Sequence, residues 1–191
     1  MSFKFITRPL DRGNYEPEGI YLGSPVDGTW PVVQSWGDHG AYYSQYRYNG
    51  IPLKGYMGML FHVAPGTTVR AVDNGRVVAI SVESGGFERY IKIEHRWGES
   101  LLALLGDVDL DSGQTVSRSQ PIAWARRDVP PIYVHFGIRV TPYNRFDGWG
   151  GFTDPLPYMD PEWLPASDAE WADSEGQPVP LLQESPGLRR P

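Results

Sequence analysis

From Thr67 to Val140 the chain is interrupted every few residues by turn-forming pairs, and that spacing limits the fold more than any other feature. Thr67–Asp73 alternates apolar and polar residues, Asn74-Gly75 is a two-residue hairpin signal, and Arg76–Glu83 is rich in Val and Ile. Gly85-Gly86 turns the chain again, Arg89–His95 alternates, and Arg96-Trp97-Gly98 closes another hairpin. Ser100–Leu105 is an apolar run, Asp111-Ser112-Gly113 turns into a short strand at Thr115–Ser117, and Ile132–Thr141 alternates as a final long strand. About seven short strands without a long amphipathic helix predict an all-β sandwich or barrel-like antiparallel sheet. The 22 Gly and 18 Pro in 191 residues exclude a helical bundle or coiled coil.

The flanks read differently. Residues 1–30, broken by Pro9, Pro17 and Pro25, predict an extended N-terminal arm, and residues 161–191 a polar, Pro-rich C-terminal tail. Residues 31–160 form the domain between them. Within it, residues 36–58 are rich in Gly and Tyr and predict loops that frame a surface. A net charge of −6 argues against a protein that tracks nucleic-acid phosphates. The chain has no cysteine, so a disulfide framework, a thiolate metal site and a thiol nucleophile are excluded. No apolar run approaches a membrane span, and Met1–Pro9 has no apolar core of a secretory signal. The expectation is cytoplasmic synthesis without a signal peptide.

Any metal site must use His, Asp or Glu. The four histidines, His39, His62, His95 and His135, lie far apart in sequence. A lone strand histidine reads first as a hydrogen-bonded structural residue, and zinc needs three or four converging ligands. The chain carries no nucleophile elbow, phosphate loop or dinucleotide-binding glycine fingerprint. Seven Trp and eleven Tyr exceed what the core of a small domain needs. Trp36, Tyr42, Tyr43, Tyr46, Tyr48 and Trp149 are therefore candidate stacking platforms for a glycan, or else pack loops against the sheet.

Several motifs in order carry a resemblance. Lys54-Gly55-Tyr56-Met57-Gly58-Met59-Leu60-Phe61 followed by Gly66-Thr67-Thr68-Val69 and Asn74-Gly75-Arg76-Val77 resembles the opening G-H-x-G-x-D-F, G-T-x-V, D-G-x-V of the lysostaphin-like (LytM-type) zinc peptidoglycan endopeptidases. His95-Arg96-Trp97-Gly98 with Leu102-Ala103-Leu104-Leu105 resembles that family's His-x-x-G and Y-A-H-L blocks. Gly113-Gln114-Thr115-Val116 and Gln120-Pro121-Ile122 resemble G-Q-x-V and G-Q-x-I. Tyr133-Val134-His135-Phe136-Gly137-Ile138 falls where the family has H-L-H-F-G-I. The resemblance covers about residues 31–160 and implies the duplicated hybrid-motif fold of that family.

Carried over by position, the resemblance implies a degenerate site. The zinc positions fall on Tyr56, Leu60 and His135, and the two catalytic histidine positions on Leu104 and Tyr133. One of the five functional residues is retained. The resemblance therefore implies a pseudoenzyme that holds no zinc or other cofactor and serves binding or assembly. Its expected partners are proteins of a larger assembly or further copies of itself, as in a phage tail or phage-like injection particle incorporated after cytoplasmic synthesis. Peptidoglycan is a further candidate ligand. Two alternatives stay open: an active zinc metallohydrolase with relocated ligands, His62 and His135 with a nearby carboxylate, and a cell-wall glycan-binding module built on the aromatic residues.

Overall fold

Local turn chemistry and alternating hydrophobicity build a series of antiparallel strands in the computed structural model, which describes residues 20–84, 86–128 and 130–160 and the backbone of Leu188–Arg189. In chain order these are β1 (Val32–Gln34), a short helix α1 (Gly40–Tyr43), β2 (Arg47–Tyr48), β3 (Ile51–Pro52), β4 (Met59–Val63) and β5 (Thr68–Arg70). Then follow β6 (Gly75–Val82), β7 (Arg89–His95), β8 (Gly98–Ala103), β9 (Leu105–Val108), β10 (Thr115–Val116), β11 (Pro121–Ala125) and β12 (Ile132–Val140). A 3-10 turn, Leu156–Tyr158, follows β12, and a strand β13 (Leu188–Arg189) is the last element among the described residues. The all-β expectation holds. Among the described residues no helix is long and apolar enough to cross a membrane.

The largest sheet has seven strands in the order β1-β4-β12-β8-β7-β6-β10, and a second sheet has three, β5-β11-β9. A small third sheet, β13-β2-β3, lies at the chain's Tyr-rich loops. β12 sits inside the large sheet between β4 and β8, and seven of its nine residues are buried. The strand is covered on both faces, so its burial is nearly continuous rather than alternating as the sequence pattern predicts. One face of the large sheet packs on the second sheet, and Val77, Ile91, Leu102, Val134, Phe136 and Ile138 meet Val69, Leu105 and Ile122 there. The opposite face of β4, β8 and β12 carries a separate cluster: Leu60, Leu101 and Ala103 covered by Tyr43, Tyr46, Leu53, Tyr56, Phe87, Leu104 and Phe152.

Three sequence expectations change here. Asn74-Gly75 does not close a hairpin, because β5 pairs with β11 while β6 pairs with β7 and β10. The turn instead passes the chain from one sheet to the other. Side-chain bonds hold it: the Asn74 carbonyl meets His95 Nδ1 at 2.8 Å, and Asn74 Oδ1 accepts the Arg118 N–H at 2.8 Å. The apolar run Ser100–Leu105 likewise divides, with β8 in the large sheet and β9 in the second. Residues 20–30, read as arm, lie against the domain, with Ile20, Leu22 and Val26 in its main core. The rest of the arm, and the tail apart from 188–189, lie outside the described residues.

Candidate functional site

Register assembles the site. On β4 and β12, Leu60 stands opposite His135 and His62 opposite Tyr133. On the other side of β12, His135 stands opposite Ala103, one residue before Leu104. Side chains two apart share a face, so Leu60, His62, Tyr133 and His135 all belong to the face away from the second sheet. Tyr56 enters from the segment before β4. Gly58 lets that segment lie against β12: a Cβ there would press into the Phe136 carbonyl and stand 2.8 Å from His135 Cε1. Leu104 completes the group in a left-handed conformation, φ 65°, with its N–H bonded to the Phe87 carbonyl at 3.1 Å. The five positions singled out by motif thus lie about one place on the sheet.

That place is filled. Tyr56 Oη and His135 Nδ1 are hydrogen-bonded at 2.6 Å, with the rings edge to face, 5.3 Å between centroids. Phe87 packs on His135 at 5.0 Å and Tyr43 on Tyr56 at 5.6 Å. Tyr43 in turn donates its hydroxyl to Gln34 Oε1 at 2.9 Å. His135 is 1% exposed, and burial pushes its pKa down from 6.5 to about 3, so the ring is neutral at physiological pH. Burial holds the Tyr56 hydroxyl well above the usual phenol range, and the neighbouring Tyr43 adds to the effect. Neither group exchanges a proton near neutral pH. His135 Nε2 is shielded from solvent and has no hydrogen-bond partner.

A zinc ion, as in the zinc endopeptidases that the sequence resembles, does not fit the residues present. Leu60 has no donor atom, Tyr56 is a neutral phenol, and His135 Nδ1 is engaged by Tyr56. Among the described residues no three His, Asp or Glu side chains gather closely enough to hold a metal. The relocated-ligand alternative lacks its carboxylate there. His62 is exposed and faces Tyr133, with 5.5 Å between the rings, whereas His135 is sealed beneath the tyrosines.

His95 has the structural role expected of a strand histidine. It stacks on Trp97 at 4.6 Å, bonds Ser100 Oγ through Nε2 at 2.8 Å, and burial lowers its pKa. The six aromatic candidates separate. Tyr43 and Tyr46 are buried in the cluster over Leu60, and no ligand can stack on them; this corrects their reading as surface platforms. The correction has a simple cause: an apolar sheet face needs an apolar cover, and these rings supply it. Tyr42 and Tyr48 are partly buried against the same cluster. Trp36 and Trp149 stack on one another, 4.1 Å between centroids.

Sequence reasoning missed Phe87 and Arg139. Phe87 follows a Gly-Gly turn, and nothing local marks it as part of the cluster. Arg139 is buried on β12, pairs with Glu99, and donates to the Gly150 carbonyl at 2.8 Å and to Tyr48 Oη at 3.0 Å. It thereby ties β12, β8, β2 and the loop after β12 together. The pairing of Glu99 opposite Arg139 in neighbouring strands is visible only once the register is known. Beside Phe87 and Leu104 an open cleft of about 630 Å3 carries Glu88, Arg126 and Asp128, whose charges pair with one another.

An antiparallel seven-stranded sheet with a three-stranded sheet on one face and a histidine on its central strand has the architecture of a lysostaphin-like peptidase domain. The model of Peptidase family M23 matches residues 54–146. Helicobacter pylori Csd3 superposes with a TM-score of 0.56 at 17% identity, over 73% of this chain and 33% of that one. The antimicrobial peptidase lysostaphin from Staphylococcus simulans superposes at 0.53 with 16% identity, over 70% of this chain and 52% of that one. The cbpa protein from L. salivarius REN gives 0.52 at 22% identity, over 71% and 92%. The chain thus spans about a third of Csd3 and about half of lysostaphin. No curated protein matches it by sequence.

Proposed function

We propose that this domain is a peptidase fold working as a non-catalytic module, a platform for binding a partner or for building into a larger assembly. The observation that supports the reading is the Tyr56–His135 hydrogen bond inside a dry aromatic plug. Hydrolysis in this fold needs a groove open to substrate, a metal that lowers the pKa of water, and a group that carries protons near pH 7. Leu60 and Leu104 offer no chemistry for these tasks, and His135 and Tyr56 are held neutral by burial. Meanwhile the glycines and turns that shape the fold are kept. Partners of protein chemistry, as in a phage tail or phage-like injection particle, suit a module whose groove is occupied by its own side chains.

Three measurements test this. Elemental analysis of tag-free protein is expected to find far less than one zinc per chain. Incubation with purified cell walls is expected to release no new amine termini. Mild isolation from the native source is expected to recover the chain in a large complex. Stoichiometric zinc together with chelator-sensitive release of amines sinks the proposal.

A further inference from the structure

The loop after β12 closes over a second concavity, whose walls include neither Tyr56 nor His135. Its volume is about 510 Å3, inside the roughly 300–1,000 Å3 typical of small-molecule sites. The Trp36–Trp149 stack forms one wall, with 28° between the ring planes, and Tyr143 and Phe152 line it elsewhere. The Trp36 Nε1–H has no acceptor, so stacking rather than hydrogen bonding holds that ring in place.

Two carboxylates also line the cavity, and the backbone orients both. Asp147 Oδ1 accepts the N–H groups of Trp149 at 2.6 Å and Gly151 at 3.1 Å. Asp154 Oδ1 accepts the Leu156 N–H at 3.0 Å. These bonds engage one oxygen of each carboxyl group and leave the other to meet a donor. Burial pushes the Asp154 pKa up. Neither Lys nor Arg lines the cavity.

Aromatic walls with carboxylates suit either an organic cation or a sugar, and the surroundings separate the two. The Arg139 guanidinium lies 3.9 Å from the Phe152 centroid and 5.7 Å from that of Tyr143. Arg145 lies 5.6 Å from Tyr143. Two guanidinium groups already lie over those rings, so an organic cation finds these aromatic partners taken. A neutral sugar's C–H face stacks on an aromatic plane, and its hydroxyls both donate and accept. The carboxylates accept, while Thr141, Thr153 and the amide of Asn144 donate. Asn144 already spends its Oδ1 on the Phe146 N–H at 2.9 Å, which turns its amide nitrogen into the remaining polar group.

We infer that this cavity binds a neutral saccharide, stacked against the Trp36–Trp149 wall and hydrogen-bonded by Asp147 and Asp154. The cavity shares Phe152 with the aromatic cluster but none of the five motif positions, so the inference does not depend on whether the domain cleaves anything. It limits the glycan-contact surface to one loop and one pair of indoles, and leaves Tyr43 and Tyr46 out of it.

The test is an array of neutral oligosaccharides built on glucose, galactose and N-acetylglucosamine, followed by titration of the full chain with the best binder, read by tryptophan emission. A saturable change is expected. Trp149→Ala should weaken binding about tenfold, the order expected for one aromatic stacking contact, and Asp154→Asn should weaken it several-fold while keeping the wild-type melting temperature. Choline, the cationic probe, should leave the emission unchanged. The inference is overturned if no neutral saccharide binds, if choline alone saturates the signal, or if binding survives in both Trp149→Ala and Asp154→Asn. The Asp154→Asn arm reads out even if Trp149→Ala folds poorly.

Discussion

Leu104 holds the left-handed backbone conformation, with φ 65° and a side chain only 3% exposed, at the position where the family motif has a histidine. A non-glycine residue pays about 1–2 kcal/mol for that region, so the packing of Leu104 under Phe87 has to offset it. A carboxylate placed there would be buried without a partner. Leu104→Asp is therefore expected to lower stability by about 2–4 kcal/mol, measurable by denaturant unfolding; an unchanged midpoint would mean that the plug is not closed. His135 gives a second residue-scale expectation. Its pKa falls from 6.5 to about 3 on folding, so the unfolded chain binds more protons between those values. Stability is then fully present above pH 6.5 and declines as pH falls towards 3, by about 1.4 kcal/mol per unit. His95 shifts in the same direction. The slope between pH 6.5 and 5, above most carboxylate titrations, should flatten in His135→Gln, whatever that variant's absolute stability. The motif positions on β4 and β12 were legible because they sit at fixed offsets from a glycine in a short block, Tyr56 and Leu60 about Gly58, Tyr133 and His135 before Gly137. Tyr43 and Tyr46 were not: a Gly- and Tyr-rich stretch reads as surface loop until the apolar face beneath it is known.

Hairpins were the legible elements. β6, β7 and β8 are joined by short turns whose chemistry is local, and the sequence placed them nearly as the structure does. Strand pairings between distant segments were not legible: β5 with β11, β4 with β12, and β9 with β11 depend on which faces bury together, not on any turn. Asn74-Gly75 shows the difference, since the same dipeptide that signals a hairpin here joins two sheets. Gly58 marks one tight approach between distant segments. Its Cβ position meets the Phe136 carbonyl and His135 Cε1, and neither backbone nor plugged ring has room to yield. Gly58→Ala is expected to cost about 1–3 kcal/mol through overpacking, with the loss visible as a lower melting temperature. A neutral substitution would mean that the segment carrying Tyr56 stands off from β12.

At the scale of the whole molecule, one large sheet is covered on both faces. The main core lies between it and β5-β11-β9, and the aromatic cluster lies on the other side. In a zinc-holding domain a metal would cross-link β4 and β12 across that second face and add its binding energy to folding. Here Tyr56, Leu60, Phe87 and Leu104 bridge the same strands by hydrophobic contact and one hydrogen bond. The two designs respond differently to metal. A site saturated at 100 times its dissociation constant adds about 2.7 kcal/mol, which moves the melting point of a domain this size by roughly 5–10 °C. Stability supplied by packing has no such dependence. The melting temperature in excess chelator and in added zinc is therefore expected to coincide within about 1 °C, well below the shift that linkage demands. A rise of several degrees with zinc, abolished in His135→Gln, would show that the tyrosine plug opens to admit a metal, and the packed-groove account of this fold would fail.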